Sequence, residues 1–268
     1  LLAVKDNQES LCITTAASIT VAVFKKCLNK IEVIIDEGKN VSHQTVSHEI
    51  ESLLQEPERI SKKLNPLLVE SCFPPIIQSG GKYDITKVPS ECSSGNLHTG
   101  CITVEIGARF KSYCSSAART YLIDPIKEVQ ENYSLLNDVF NVVVEKLVDG
   151  VRLSDVYQAA VDHIIAKKPQ LLTHFLPEVG ASVGLMLRET GYIVTEHSTE
   201  TVRNGMAFVV RVGFQNLTVE GETDPLKTYS LLLGDTVLVK PTEVTVLSKS
   251  LNKKVDQISY TLKDDEES

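Results

Sequence analysis

With 268 residues, 42% of them hydrophobic and 23% charged, the chain is long enough to bury one large core or two small ones. A net charge of −8 repels nucleic-acid phosphates, which argues against direct sequence-specific DNA binding and is compatible with a basic partner. No run of about 18 apolar residues is present, so no membrane span is expected.

The first residues, LLAVKDNQES, lack a charged leader, a cleavage pattern and an initiator Met. They mark the chain as an expected piece of something longer. Asp6 with Glu9 three residues on forms a capping-box start. Apolar residues then recur at helical spacing from Leu11 to Ile35, and Gly38 stops the run. A second helix is expected from near Ser42, carrying Val46, Ile50, Leu53 and Leu54.

The stretch CFPPIIQSGGKYD reads as a short apolar strand between turns. A polar loop follows, then strands at Cys101–Phe110 and Ser112–Ile123. Pro125 suits the first position of a long amphipathic helix that ends at Gly150. Ser154 suits the cap of another, ending before Pro169. Strand patterns resume at Gly205–Gln215, Thr228–Lys240 and Glu243–Ser248, with Val219–Lys227 as a polar hairpin insertion. The close, KDDEES, is expected to be a disordered acidic end, so residues 1–262 form the folded lobe and 263–268 begin a linker.

The order is therefore two helices and antiparallel strands, given twice, a coarse internal duplication. Two such halves pack as an α+β fold: one curved antiparallel sheet with four helices on one face and a pocket on the other.

Cys12, Cys27, Cys72, Cys92, Cys101 and Cys114 contain no C-x-x-C pair and read as free thiols in a reduced compartment, without zinc. Cys114 with His98 would make a thiol–imidazole pair only if an orienting partner existed, and none is visible. Ser115 and Ser116 lack a G-x-S-x-G elbow. His43, His48, His163, His174 and His197 are scattered and read as surface or packing residues. Asn216-Leu217-Thr218 is only a formal glycosylation sequon.

Gly107…Ser112-Tyr113-Cys114-Ser115-Ser116…Arg119-Thr120, Gly180-Ala181-Ser182-Val183-Gly184, Gly205-Met206-Ala207-Phe208 and Gly234-Asp235-Thr236-Val237-Leu238-Val239 follow the order and spacing of a known group. The chain resembles the pita-bread family of methionine aminopeptidases, aminopeptidase P, prolidase and creatinase. PPIIQSGGKYD, RFKSYCSSAART, VQENY and KTYSLLLGDTVLV carry a closer likeness, to the large-subunit family of the FACT histone chaperone.

The pita-bread resemblance implies a dinuclear metal site of two Asp, one His and two Glu. Its ligand positions fall on Glu105, Ser116, Ala181, Arg211 and Gly234. One carboxylate remains, and Arg211 places a permanent cation where a metal would sit. Asp235 could stand in for the last Glu only by a one-residue slip, which turns a strand side chain to the other face. No metal or other cofactor is therefore expected, and no catalysis. Glu105 and Arg211 are expected to pair at the pocket floor; the competing reading leaves Arg211 in water at a sheet edge. The pocket itself, with Glu105, Ser116 and Arg211, is expected to keep its shape and serve as a peptide or histone site.

The chaperone resemblance implies core histones as partners, an HMG-box subunit joined through regions outside this chain, and a place on the chromosome in the nucleus during transcription, replication and repair. Two other readings stand beside it: a working aminopeptidase or prolidase, and a scaffold that docks replication or transcription factors.

Overall fold

The computed structural model describes residues 3–219 and 224–262. Helix α1 (Asn7–Asp36) opens on a full capping box: Asp6 accepts from the Gln8 and Glu9 amides, while Glu9 accepts from the Asp6 amide. Helix α2 (His43–Gln55) is capped by the Ser42 hydroxyl. Strands β1 (Val69–Gln78), β2 (Cys101–Phe110) and β3 (Tyr113–Ile123) complete the first half.

The second half repeats the pattern with α3 (Lys127–Lys146), α4 (Leu153–Lys167), β4 (Glu178–Ser182), β5 (Ile193–Thr195), β6 (Ala207–Leu217) and β7 (Tyr229–Val239). Strand β8 (Val244–Val246), the single turn α5 (Val255–Ile258) and β9 (Ser259–Tyr260) follow. Residues 220–223 of the expected hairpin insertion and the acidic end 263–268 lie outside the described residues.

Local details differ from the sequence reading. Helix α3 stops at Lys146 and not at Gly150, whose amide instead bonds Val202 O. Helix α4 starts one residue before Ser154, because Arg152 bridges Thr201 and the Leu153 amide bonds Glu200 O. Strands β4 and β5 have no counterpart in the sequence reading; five and three residues give too short a pattern to register.

All named strands join one sheet, in the order β1-β2-β3-β7-β6-β4-β5, with β8 on β7 and β9 on β3. The pairing is antiparallel except for β3 with β9. The two halves thus meet edge to edge at β3 and β7. Alternation decides which face is which. Ile102, Val104, Ile106 and Ala108 of β2 join Phe24, Cys27 and Ile31 of α1 in one core. Phe208, Val210, Val212 and Phe214 of β6 join Leu136, Val139 and Phe140 of α3 in a second. The intervening residues of β2 and β6 face the opposite side. Helix α1 is long and apolar enough to cross a membrane by length and composition. Its serines, threonines and alanines break any continuous apolar run, and 56% of its most apolar window is buried in this core.

The central seam is closed by two threonines. Between β3 and β7 the regular register shows only Ala118 opposite Gly234. On one side of that pair, Thr120 Oγ1 donates to Leu232 O at 3.0 Å and accepts from its amide at 2.7 Å. On the other, Thr236 Oγ1 accepts from the Ser116 amide at 3.0 Å and donates to Ser116 O at 2.8 Å. Each hydroxyl stands in for a ladder bond, so the amide and carbonyl of both Ser116 and Leu232 are paired. The local pseudo-twofold axis passes between Ala118 and Gly234.

Candidate functional site

The register places four residues in one row across the sheet: Glu105 opposite Ala118, Ala118 opposite Gly234, and Gly234 opposite Arg211. Directly opposed residues share a face, so all four belong to the face away from the helices. The two central positions are the smallest in the row. A Cβ added at Gly234 would lie 3.3 Å from Ala118 Cβ and 3.1 Å from Val210 O. With no side chain there, the long arms of Glu105 and Arg211 meet over the seam.

Arg211 Nε lies 3.2 and 3.1 Å from the two Glu105 carboxylate oxygens, and Nη2 lies 3.1 Å from Oε2. Nη1 donates to Ile85 O at 2.7 Å. Both residues are buried, at 4% exposure for Arg211 and 2% for Glu105. The pairing expected from the sequence is present, and the alternative of a water-facing Arg211 is excluded.

Ser116 and Ala181 line the same pocket as Glu105 and Arg211, together with Val88, Glu178, Gly180, Leu187, Arg188 and Val209. Sequence reasoning missed Glu178 and Arg188, which form a second ion pair at the mouth. They lie ten residues apart, Glu178 opening β4 and Arg188 in the connection from β4 to β5, and no spacing rule links them. The Ile85 carbonyl was equally invisible, because it comes from the irregular segment between β1 and β2.

The floor of the cleft is closely packed. The space on this floor is about 20 Å³, room for one water molecule. Ile85 and Val88 arrive from one side, Leu187 and Arg188 from the other, and Arg211 fills the middle. A peptide end does not fit there without movement of those loops.

Asp235 has turned to the helix face, as the period of a strand requires. It accepts from Arg119 Nη2 at 2.7 Å, from the Ser248 hydroxyl, and from Lys253 Nζ at 2.8 Å. It is fully committed there. Cys114 and His98 are not brought together: the Cys114 thiol packs at Leu185 O and the His98 amide bonds Ser79 Oγ. His43 is a packing residue, buried between Gly95 O and Ser79 Oγ at 3.0 and 2.7 Å. The six cysteines are free thiols.

The donor set does not fit a pair of divalent ions. Two such ions need about four negative charges from oxygen ligands to offset their own, besides imidazole. This row supplies one carboxylate, already neutralised by a guanidinium 3.1 Å away, and its neighbours offer a hydroxyl, a methyl group and a hydrogen. Among the described residues no cluster of His, Cys, Asp or Glu could hold a metal.

The sequence profile of metallopeptidase family M24 matches residues 11–241. The chain is a member of that family. Relatives similar over nearly the whole chain include proteins that are not named as peptidases. FACT complex subunit SPT16 of Dictyostelium discoideum is 37% identical over 264 residues, 97% of this chain and 24% of the relative. FACT complex subunit SPT16 of Arabidopsis thaliana is 37% identical over 273 residues, 100% of this chain and 25% of the relative. The chain thus spans about a quarter of the length of the curated relatives it matches.

Among solved structures, the N-terminal domain of FACT complex subunit SPT16 from Cicer arietinum superposes with a TM-score of 0.92 at 34% identity, covering 96% of this chain and 61% of that one. The X-Pro aminopeptidase of Thermotoga maritima superposes with a TM-score of 0.76 at 19% identity, covering 97% of this chain and 65% of that one, a likeness of fold. The family M24 fold is the pita-bread architecture expected from the sequence, and the relatives are those of the FACT subunit.

Proposed function

We propose that this chain is the peptidase-like lobe of a FACT large subunit, has no hydrolytic activity, and contributes to histone handling in nuclear chromatin. The observation that carries the first part is the Glu105–Arg211 pair. It sets a permanent cation at a position where the family's hydrolytic chemistry needs a metal-binding carboxylate. The positions Glu105, Ser116, Ala181, Arg211 and Gly234 are read as the remnants of that ligand set.

The histone part rests on the likeness to FACT subunits and on the charge. At −8, the chain attracts a basic partner and repels free DNA. The space of about 20 Å³ on the pocket floor turns the proposal away from a buried histone end and toward an outer surface. The HMG-box subunit is assigned to regions beyond this lobe, which covers a quarter of its relatives; replication or transcription factors stay with the lobe as the scaffold reading.

The test has two arms. Incubation with manganese or cobalt and an X-Pro peptide gives no turnover and no bound metal; turnover would restore the peptidase reading. Titration with purified core histones at low and physiological salt gives binding that weakens with salt. Absence of binding at both salts would leave the lobe as a docking scaffold.

A further inference from the structure

On the pocket face, two rows beyond Glu105, a second cluster is unused by this reading. Arg109 of β2 lies opposite Cys114 of β3. Cys72 of β1 joins them. Strands β1 and β3 are separated by β2, and ordinary strand spacing holds such residues about 9–10 Å apart, too far for a disulfide.

Here the register breaks. Ser71 pairs with Ala108 and Phe73 with Gly107, so Cys72 is bulged out of the ladder. It leans over Gly107, where an added Cβ would lie 3.0 Å from Cys72 Cβ and 2.7 Å from the Phe73 ring. The missing side chain at Gly107 therefore lets Cys72 cross β2. Its sulfur reaches 3.9 Å from Ser115 O, on the residue next to Cys114.

We propose that Cys72 and Cys114 form a peroxide-sensitive dithiol that closes to an intrachain disulfide, fastening β1 to β3 across β2. Arg109 is the positioning cation. Its Nε is buried with no conventional hydrogen-bond partner, and it stands directly opposite Cys114 in the ladder. Cys72 and then Arg109 hold the Cys114 thiol below its usual range, against burial and the Glu189 carboxylate, while Cys114 and burial push Cys72 up. Cys72 is partly exposed and gives a small oxidant its route in, whereas Cys114 is buried.

The chemistry balances with one peroxide. Cys114 thiolate attacks a peroxide oxygen, the O–O bond breaks, and the leaving hydroxide takes a proton to become water. Cys72 sulfur then attacks the Cys114 sulfenic acid, the S–O bond breaks, and the departing hydroxide leaves as water with the Cys72 proton. Two thiols are oxidised and one peroxide is reduced to two waters. The new bond competes with the contact of the Cys114 thiol to Leu185 O at 3.5 Å. Oxidation would thus loosen the segment that carries Leu187 and Arg188 to the pocket mouth.

Hydrogen peroxide on the reduced chain, followed by non-reducing peptide mass mapping, tests this. The expected product links Cys72 to Cys114 and loses two of the six thiols. In Cys72→Ser, dimedone is expected to trap a sulfenic acid on Cys114. Arg109→Met should slow closure roughly tenfold, and Arg109→Lys should restore part of the rate. Oxidation of Cys12 or Cys92 ahead of Cys114, no dimedone adduct in Cys72→Ser, or equal rates in Arg109→Met and the parent would each overturn the proposal.

Discussion

Two buried arginine–carboxylate pairs sit back to back on one sheet, and they are built differently. On the helix face, Arg119 uses its full donor fork: Nε to Asn252 O, Nη1 to Ala118 O and Gly234 O, Nη2 to Asp235 and Leu251 O. Asp235 answers with three bonds of its own, one of them to Lys253, whose ammonium also lies 4.3 Å from the Phe140 ring centroid. Both partners are sealed, at 0% exposure. On the pocket face, Arg211 spends its bonds on Glu105 and a single loop carbonyl. The first pair clasps the segment after β8 to the sheet. The second fills a cavity floor. A buried charge stays buried only when its partners are complete, and the two pairs differ in that completeness.

The comparison breaks most sharply at Asp235. Asp235→Ala leaves Arg119 and Lys253 facing each other without an acid, and is expected to cost about 5 kcal/mol, the upper end for a broken buried pair. Limited proteolysis should then cut within 248–262, the segment held by Ser248, Leu251, Asn252 and Lys253. An unchanged denaturation midpoint would show that the clasp contributes nothing.

Arg211→Ala should cost less, ~3 kcal/mol, because the space for one water beside Glu105 lets that carboxylate be partly hydrated. A denaturant titration that puts this loss above that of Asp235→Ala would reverse the ranking. Replacing both partners, Glu105→Leu with Arg211→Leu, should bring stability back to within ~1–2 kcal/mol of the parent, since two apolar groups owe no desolvation. A double variant as unstable as the single one would show that the pair does more than neutralise itself.

The smallest effect concerns the loop that supplies Ile85. It is anchored through Ser79 to His43, whose pKa burial lowers from 6.5, with His98 as the nearby like-charged group. The folded state therefore resists protonating His43, and the unfolded chain binds that proton first. Its contribution is present above about pH 6.5 and is lost as pH falls through and below that value. Stability of the parent should fall more between pH 7.5 and 5.5 than that of His43→Asn. Equal slopes would detach the loop from the pocket pair.

Much of this was legible in the residues. The capping box at Asp6 and Glu9, the helical spacing of α1 to α4 and the alternation of β2, β3, β6 and β7 are local patterns, set by side-chain period and backbone hydrogen bonding within a few positions. That Glu105 and Arg211 could pair followed from the family resemblance and charge alone. Strand β4 was not legible, because Gly180 and Ala181 leave no alternation to read.

The sequence alone set the side chains at 105, 116, 181, 211 and 234, and with them the single carboxylate left at the positions that the family resemblance implies for metal ligands. Only the folded sheet decided the rest: that Ala118 and Gly234 stand between Glu105 and Arg211 so that a bond passes over the seam, that Thr120 and Thr236 supply its missing ladder bonds, and that a bulge carries Cys72 to the carbonyl of Ser115. Those are contacts between residues up to 120 positions apart, and their distances exist only once the strands have paired.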